Sequence, residues 1–79
     1  MNTDKESEVH AMFNVGEKLK KYRKRKNMSQ QEFAQFLGIS QNYLSEVENG
    51  VYTPSLKKLS QIAGRLNTTV QKLLSEKSA

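Results

Sequence analysis

Seventy-nine residues, 35% of them hydrophobic, with a formal net charge of +5, suffice for one small domain with a modest core. The absence of cysteine excludes a disulfide framework and thiolate metal ligation, and no run approaches the ~18 consecutive apolar residues of a membrane span. The opening MNTDKESEVH is polar and acidic, unlike a signal peptide, so the expected location is the cytoplasm.

Helical periodicity dominates the chain, and no segment pattern resembles a strand pair. Residues 1–12 and 76–79 read as flexible tails around one domain, 13–75. Asn14, three residues before Glu17, is expected to cap a first helix reaching about Lys26, with Val15, Leu19 and Tyr22 on one face. Asn27 interrupts it. Ser29-Gln30-Gln31-Glu32 is a capping box that opens a second helix, burying Phe33, Ala34 and Leu37 and stopping at Gly38 in a left-handed conformation. Phe36 is left unassigned between packing and surface, because Phe33 and Leu37 already claim the inward direction. Only Gly38, Ile39 and Ser40 separate this helix from a third, Gln41 to Glu48, capped by Ser40. Helices joined by so short a turn must cross steeply.

Asn49-Gly50 closes the third helix, and Thr53 followed by Pro54 reads as a cap with proline at the first helical position. The fourth helix then reaches about Leu66, with Leu56, Leu59, Ile62 and Ala63 as its buried stripe; Gly64 inside it has no explanation in the sequence. Asn67, Thr68 or Thr69 caps a fifth helix whose Val70, Leu73 and Leu74 face inward or line an interface.

Charge follows these elements unevenly. Residues 13–28 carry +6, seven basic side chains against Glu17, while 29–50 carry −3, from Glu32, Glu46 and Glu48 with no lysine or arginine. A basic block of this kind is either a solvated helix face or a source of attraction for a polyanion. On a wheel of about 100° per residue, Leu44 and Val47 define the inward side of the third helix. Asn42, Ser45 and Glu46 then point outward, with Gln41 at the edge. Glu48 borders the buried side. On the first helix Arg23 adjoins the apolar stripe, whereas Lys18, Lys20, Lys21, Lys24 and Arg25 fall farther round.

The ordered series of capping box, Phe33-Ala34, Gly38-Ile39-Ser40 and Glu48-Asn49-Gly50 followed by Pro54 resembles the helix-turn-helix domains of the phage repressor and Cro (XRE) family, over about residues 13–75. The resemblance implies an all-α, compact five-helix lambda-repressor-like domain whose second and third helices form the motif. It implies a sequence-specific regulator of transcription that binds double-stranded DNA, a repressor acting as a homodimer on a near-palindromic operator. In the family's docking geometry the third helix enters the major groove amino end first, which brings Gln41 and Asn42 to the base edges, with Ser45 and Glu46 behind them. A carboxamide donates and accepts at once, matching adenine N6 and N7. Glu46 has three readings of equal weight: accepting from cytosine N4, repelling wrong sequences, or staying solvated.

Relatives place a paired arginine and glutamate at the positions of Arg23 and Glu48, implying a partly buried ion pair between the first and third helices. Phosphate contacts are expected beside the reading helix. Gln30 would act with the free N–H groups of the second helix, joined by Ser29 if capping leaves its hydroxyl available. Ser40 and Tyr43 flank the third helix, and Asn49 and Thr53 lie in the loop whose backbone donors, in relatives, meet the opposite wall of the groove. The basic run Lys18 to Lys26 supplies field more than contacts.

Leu66, Val70, Leu73 and Leu74 exceed the obvious need of one small core and are the expected dimer interface, which would set the reading helices ~34 Å apart. His10 is the sole histidine, and neither an activated nucleophile nor a metal-ligand cluster is visible, so the chain does not read as an enzyme and no cofactor or small-molecule ligand is expected. The rival reading is a protein-interaction module, antitoxin-like or antirepressor-like, using the C-terminal apolar residues as its partner site. Controllers of restriction-modification operons fall within the DNA-binding class. Regulation would then rest on concentration, proteolysis or a protein partner such as an antirepressor. The first helix has too few exposed apolar residues to insert into a membrane surface.

Overall fold

The computed structural model describes residues 15–75; the expectations for Phe13, Asn14 and the two tails lie outside them. Five helices follow in order: α1 Val15–Arg25, α2 Gln30–Leu37, α3 Gln41–Glu48, α4 Leu56–Arg65 and α5 Val70–Ser75, with no strand among the described residues. Left-handed turns punctuate them. Asn27, with φ 56°, closes α1 one turn residue beyond Lys26, and Asn67, with φ 58°, follows α4. Both are asparagine, whose short polar side chain tolerates this conformation.

The capping box at α2 is complete: Glu32 N–H donates to Ser29 Oγ at 3.1 Å, and Ser29 N–H donates to Glu32 Oε1 at 2.9 Å. Gly38, with φ 75°, ends α2 and donates its N–H to the carbonyls of Ala34 and Gln35. Ser40 Oγ accepts from Tyr43 N–H at 3.0 Å to start α3. At α5 the cap is Thr69, whose Oγ1 accepts from Lys72 N–H at 3.1 Å.

The start of α4 differs from the expectation. Ser55, not Thr53, is the N-cap, its Oγ accepting from Lys58 N–H at 3.1 Å, so helix begins at Leu56 and Pro54 precedes the cap. Pro54 is fully buried together with Leu59, the two positions of a hydrophobic staple. With Pro54 filling the core at this end, Leu56 is left 62% exposed and does not belong to the buried stripe, which consists of Leu59, Ile62 and Ala63.

The core joins Val15 and Leu19 of α1, Phe33, Ala34 and Leu37 of α2, Leu44 and Val47 of α3, the α4 stripe and Leu73 of α5. Each fully buried leucine or phenylalanine contributes about 1.5–3 kcal/mol. Phe36 stays largely outside, stacked on Phe33 at 6.3 Å between ring centres, with the Lys26 ammonium 5.2 Å from its ring. Helix α1 packs on α3 and α5, and Lys18 Nζ donates to the Leu74 carbonyl, tying α1 to the carboxyl end of α5.

Two glycines have opposite meanings. At Gly16 a Cβ would stand 1.9 Å from the Val47 carbonyl oxygen and 2.9 Å from its carbon, so α1 approaches α3 more closely than any other residue permits. Around Gly64 a Cβ would meet nothing within 4 Å. Gly64→Ala is therefore expected to stabilise the fold by about 1 kcal/mol, through helix propensity alone. A urea titration checks it: the midpoint should rise with an unchanged slope, and a lower midpoint contradicts the open environment.

Candidate nucleic-acid interface

Helix α3 is amphipathic because Leu44 and Val47 are pinned under α1 and α2, which forces its remaining side chains outward. Gln41, Asn42 and Glu46 are exposed and Ser45 is half-exposed. Asn49 Nδ2 donates to Ser45 Oγ at 3.4 Å, extending the polar face one residue past the helix. The Ser45 hydroxyl keeps its proton free to donate outward. The face therefore presents carboxamides at its amino end, a hydroxyl in the middle and one carboxylate, Glu46, beside it.

One flank of this face is built by α2. Its first-turn N–H groups have no intrahelical partner, so they point a partial positive charge outward. Ser29 Oγ accepts in the capping box but retains its own O–H to donate to an anion. Gln30 has a second engagement that the sequence did not suggest. Its Nε2 donates to Glu48 Oε1 at 3.1 Å, which fixes the carboxamide and leaves its other N–H and its carbonyl available. Ser40 likewise accepts at the α3 cap while its O–H stays free.

The opposite flank is aromatic. After α3 the chain folds back, with Val51 and Tyr52 N–H both donating to the Glu46 carbonyl, at 2.9 and 3.3 Å. This return sets Tyr52 edge-on to Tyr43, 5.3 Å between ring centres, and the Lys58 ammonium of α4 lies 5.9 Å from the Tyr43 ring. Burial, then the charge Tyr52 carries when ionised, raises the Tyr43 pKa above the ordinary tyrosine value. Tyr43 therefore stays a neutral hydroxyl donor at neutral pH. Thr53 is exposed in the same loop. Tyr52 and Lys58 were missed in the sequence because their position depends on that backbone return, which has no local residue signature.

Beneath the face, Arg23 clasps Glu48 in a fork: Nε to Oε2 at 2.8 Å and Nη2 to Oε1 at 3.1 Å. The Glu48 side chain is 1% exposed and that of Arg23 14%. Arg23 Nη1 also donates to the Met28 carbonyl at 3.1 Å, so one guanidinium joins α1, the loop before α2 and the end of α3. With Gln30 added, the carboxylate holds both the end of α3 and the amino end of α2 in one network.

The four apolar residues of the C-terminal region separate. Leu73 is completely buried, so it is core and not available surface: its side chain fills the space between α5 and the rest of the domain. Leu66, Val70 and Leu74 pack against that core while remaining partly exposed. Among the described residues no helix is long and apolar enough to cross a membrane.

A helix-turn-helix family profile matches residues 19–73, which contain both motif helices and the core that supports them. The chain belongs to the helix-turn-helix family. Within it, the chain is 49% identical over 53 residues to the ImmF control region 10 kDa protein of Bacillus phage phi105, covering 67% of this chain and 59% of that one. It is 38% identical over 64 residues to the HTH-type transcriptional regulator SinR of Bacillus licheniformis, covering 80% of this chain and 58% of SinR. With the control protein C.MunI of a Mycoplasma species it shares 40% identity over 62 residues, covering 77% of this chain and 84% of C.MunI. The chain thus spans somewhat under two thirds of the first two relatives. The five helices agree with the lambda-repressor-like fold of this helix-turn-helix family.

Proposed function

We propose that this chain is a sequence-specific regulator of transcription, a repressor, which binds double-stranded DNA with α3 in the major groove. The observation that carries the reading is the uncharged-to-acidic α3 face, Gln41, Asn42, Ser45 and Glu46, projecting from an otherwise basic domain. A side chain that only attracts phosphate gains from positive charge, whereas one that discriminates bases gains from paired donors and acceptors. Ser29, Gln30 and Ser40 on one flank and Tyr43, Asn49 and Thr53 on the other are the proposed phosphate contacts. The lysines and arginines of α1 supply long-range attraction. The relative SinR is itself named as a transcriptional regulator.

Selection of bound duplexes from a random pool at two salt concentrations tests this. The expected result is one enriched site with two-fold symmetry, and an affinity whose logarithm falls by about 0.9 per neutralised phosphate against the logarithm of salt. Recovery of no preferred duplex would contradict sequence-specific binding and favour a protein-interaction module.

We further propose that the functional unit is a homodimer, with Leu66, Val70 and Leu74 as the contact surface and half-sites one helical turn, ~34 Å, apart. Sedimentation on a two-half-site duplex should find two chains bound, and Val70→Glu should reduce that to one. A single chain on the intact site would remove the dimer.

A further inference from the structure

Asn49 and Gly50, which close α3, form the only asparagine-glycine pair in the sequence. Asn27, Asn42 and Asn67 precede Met28, Tyr43 and Thr68, whose side chains screen the backbone nitrogen that follows each asparagine. Gly50 has no such screen: a Cβ built on it would meet nothing within 4 Å, and both Asn49 and Gly50 are exposed. An unshielded amide nitrogen beside a carboxamide carbon is a reactive pair. Once deprotonated by hydroxide, the Gly50 nitrogen attacks Asn49 Cγ; an N–Cγ bond forms, the Cγ–Nδ2 bond breaks, and Nδ2 leaves as ammonia with a proton taken from water. Water then opens the resulting succinimide ring at either carbonyl. The product is aspartate or isoaspartate at position 49, and the net change is one water consumed and one ammonia released.

The closed end of α3 holds this reaction in check. Gly50 N–H donates to the Val47 carbonyl at 3.1 Å, and Asn49, with φ −88° and ψ 2°, turns the Gly50 nitrogen away from its own side chain. Asn49 Nδ2 donates to Ser45 Oγ at 3.4 Å, a long bond that restrains the carboxamide only weakly. Attack therefore requires the last turn of α3 to open and the chain to rotate about the Asn49 Cα–C bond. Helix ends are where such opening costs least.

We propose that Asn49 is a self-modification site: the unbound chain converts it to aspartate or isoaspartate as the end of α3 opens, and the operator-bound chain does not. The consequence rests on the DNA-binding reading above, in which Asn49 meets a phosphate and bound DNA keeps the last turn closed. Aspartate sets a carboxylate against that phosphate. Isoaspartate also adds a methylene to the main chain, which displaces the Gly50 and Val51 N–H groups from the Val47 and Glu46 carbonyls. Either product weakens DNA binding, so idle protein is retired while protein on its operator is preserved.

The test follows the full chain at mildly alkaline pH by proteolysis and mass spectrometry, with the capped peptide acetyl-Glu-Asn-Gly-Val-amide as the unlatched reference. Conversion is expected at Asn49 and at none of Asn27, Asn42 or Asn67, more slowly than in the peptide. The selected duplex, at about ten times its dissociation constant, should slow it about tenfold, and an unrelated duplex far less. Asn49→Asp, which supplies one product directly, should lower affinity for the selected duplex about fivefold or more while circular dichroism shows the fold intact. Aged native protein should lose affinity in step with conversion, whereas Asn49→Gln, whose longer side chain does not close this ring, should keep its own starting affinity. Absence of conversion at Asn49 over about a hundred half-lives of the peptide overturns the proposal, since a helix end opens at little free-energy cost. Conversion at the peptide's rate, conversion unaffected by the selected duplex, or undiminished operator affinity in the converted protein overturns it as well. The mass measurement needs no DNA, so failure of the DNA-binding reading shows separately.

Discussion

Glu48→Ala is expected to destabilise the fold by about 3–5 kcal/mol, the cost of leaving one partner of a buried ion pair without the other. Three donors converge on that carboxylate, Arg23 Nε and Nη2 and Gln30 Nε2, all within 2.8–3.1 Å. Alanine removes every acceptor at once and leaves the Arg23 guanidinium with only the Met28 carbonyl. A marginally stable domain of this size has little reserve against such a loss. Urea denaturation reads the effect directly, and Glu48→Gln, which keeps the shape and some hydrogen bonding, should fall between alanine and the native protein. Because the same carboxylate holds Gln30, any Glu48→Ala protein that remains folded should also bind DNA more weakly. An unchanged midpoint in Glu48→Ala would show that the fork contributes nothing net.

Gly16→Ala is the second large effect. The added methyl would sit 1.9 Å from the Val47 carbonyl oxygen, and both atoms are fixed by backbone. No rotamer change relieves that contact, so α1 must withdraw from α3. Withdrawal loosens Val15 and Leu19 in the core and lengthens the Arg23–Glu48 fork. The expected net cost is about 3 kcal/mol, at the upper end of overpacking penalties even after the ~1 kcal/mol helix-propensity gain of alanine. Gly64→Ala provides the control. It makes the same chemical change in another helix, with propensity as the whole effect and the opposite sign. If both variants were stabilised, the close crossing of α1 and α3 would be wrong.

These two residues also show where the sequence was legible. Local chemistry announced itself: Ser29 with Glu32, Gly38, and Ser40 are caps that act within four residues, and their geometry follows from their own spacing. Leu44 and Val47 were readable for the same reason, since a helical period separates inward from outward whatever the partner helix. Thr53 and Ser55 both fit a cap, and only the burial of Pro54 decides for Ser55. That burial is a tertiary fact.

Gly16 carried no signal, because a glycine near a helix start is common and its reason, the Val47 carbonyl, lies 31 positions away. The bond from Gln30 to Glu48 and the meeting of Tyr43 with Tyr52 and Lys58 are likewise products of how helices and loops are brought together. Leu73 was ambiguous in a different way. A leucine on the last helix suits a core and an interface equally, and its complete burial assigns it to the core.

The two leading carboxamides of the proposed reading face, Gln41 and Asn42, can be separated from general attraction to DNA. Affinities of Gln41→Ala and Asn42→Ala should be measured for the selected duplex and for an unrelated duplex at the same salt concentration. The expected result is a loss of roughly 1–3 kcal/mol on the selected duplex for each bidentate contact removed, with little change on the unrelated one. Equal losses on both duplexes, or no loss on either, would contradict base reading by α3.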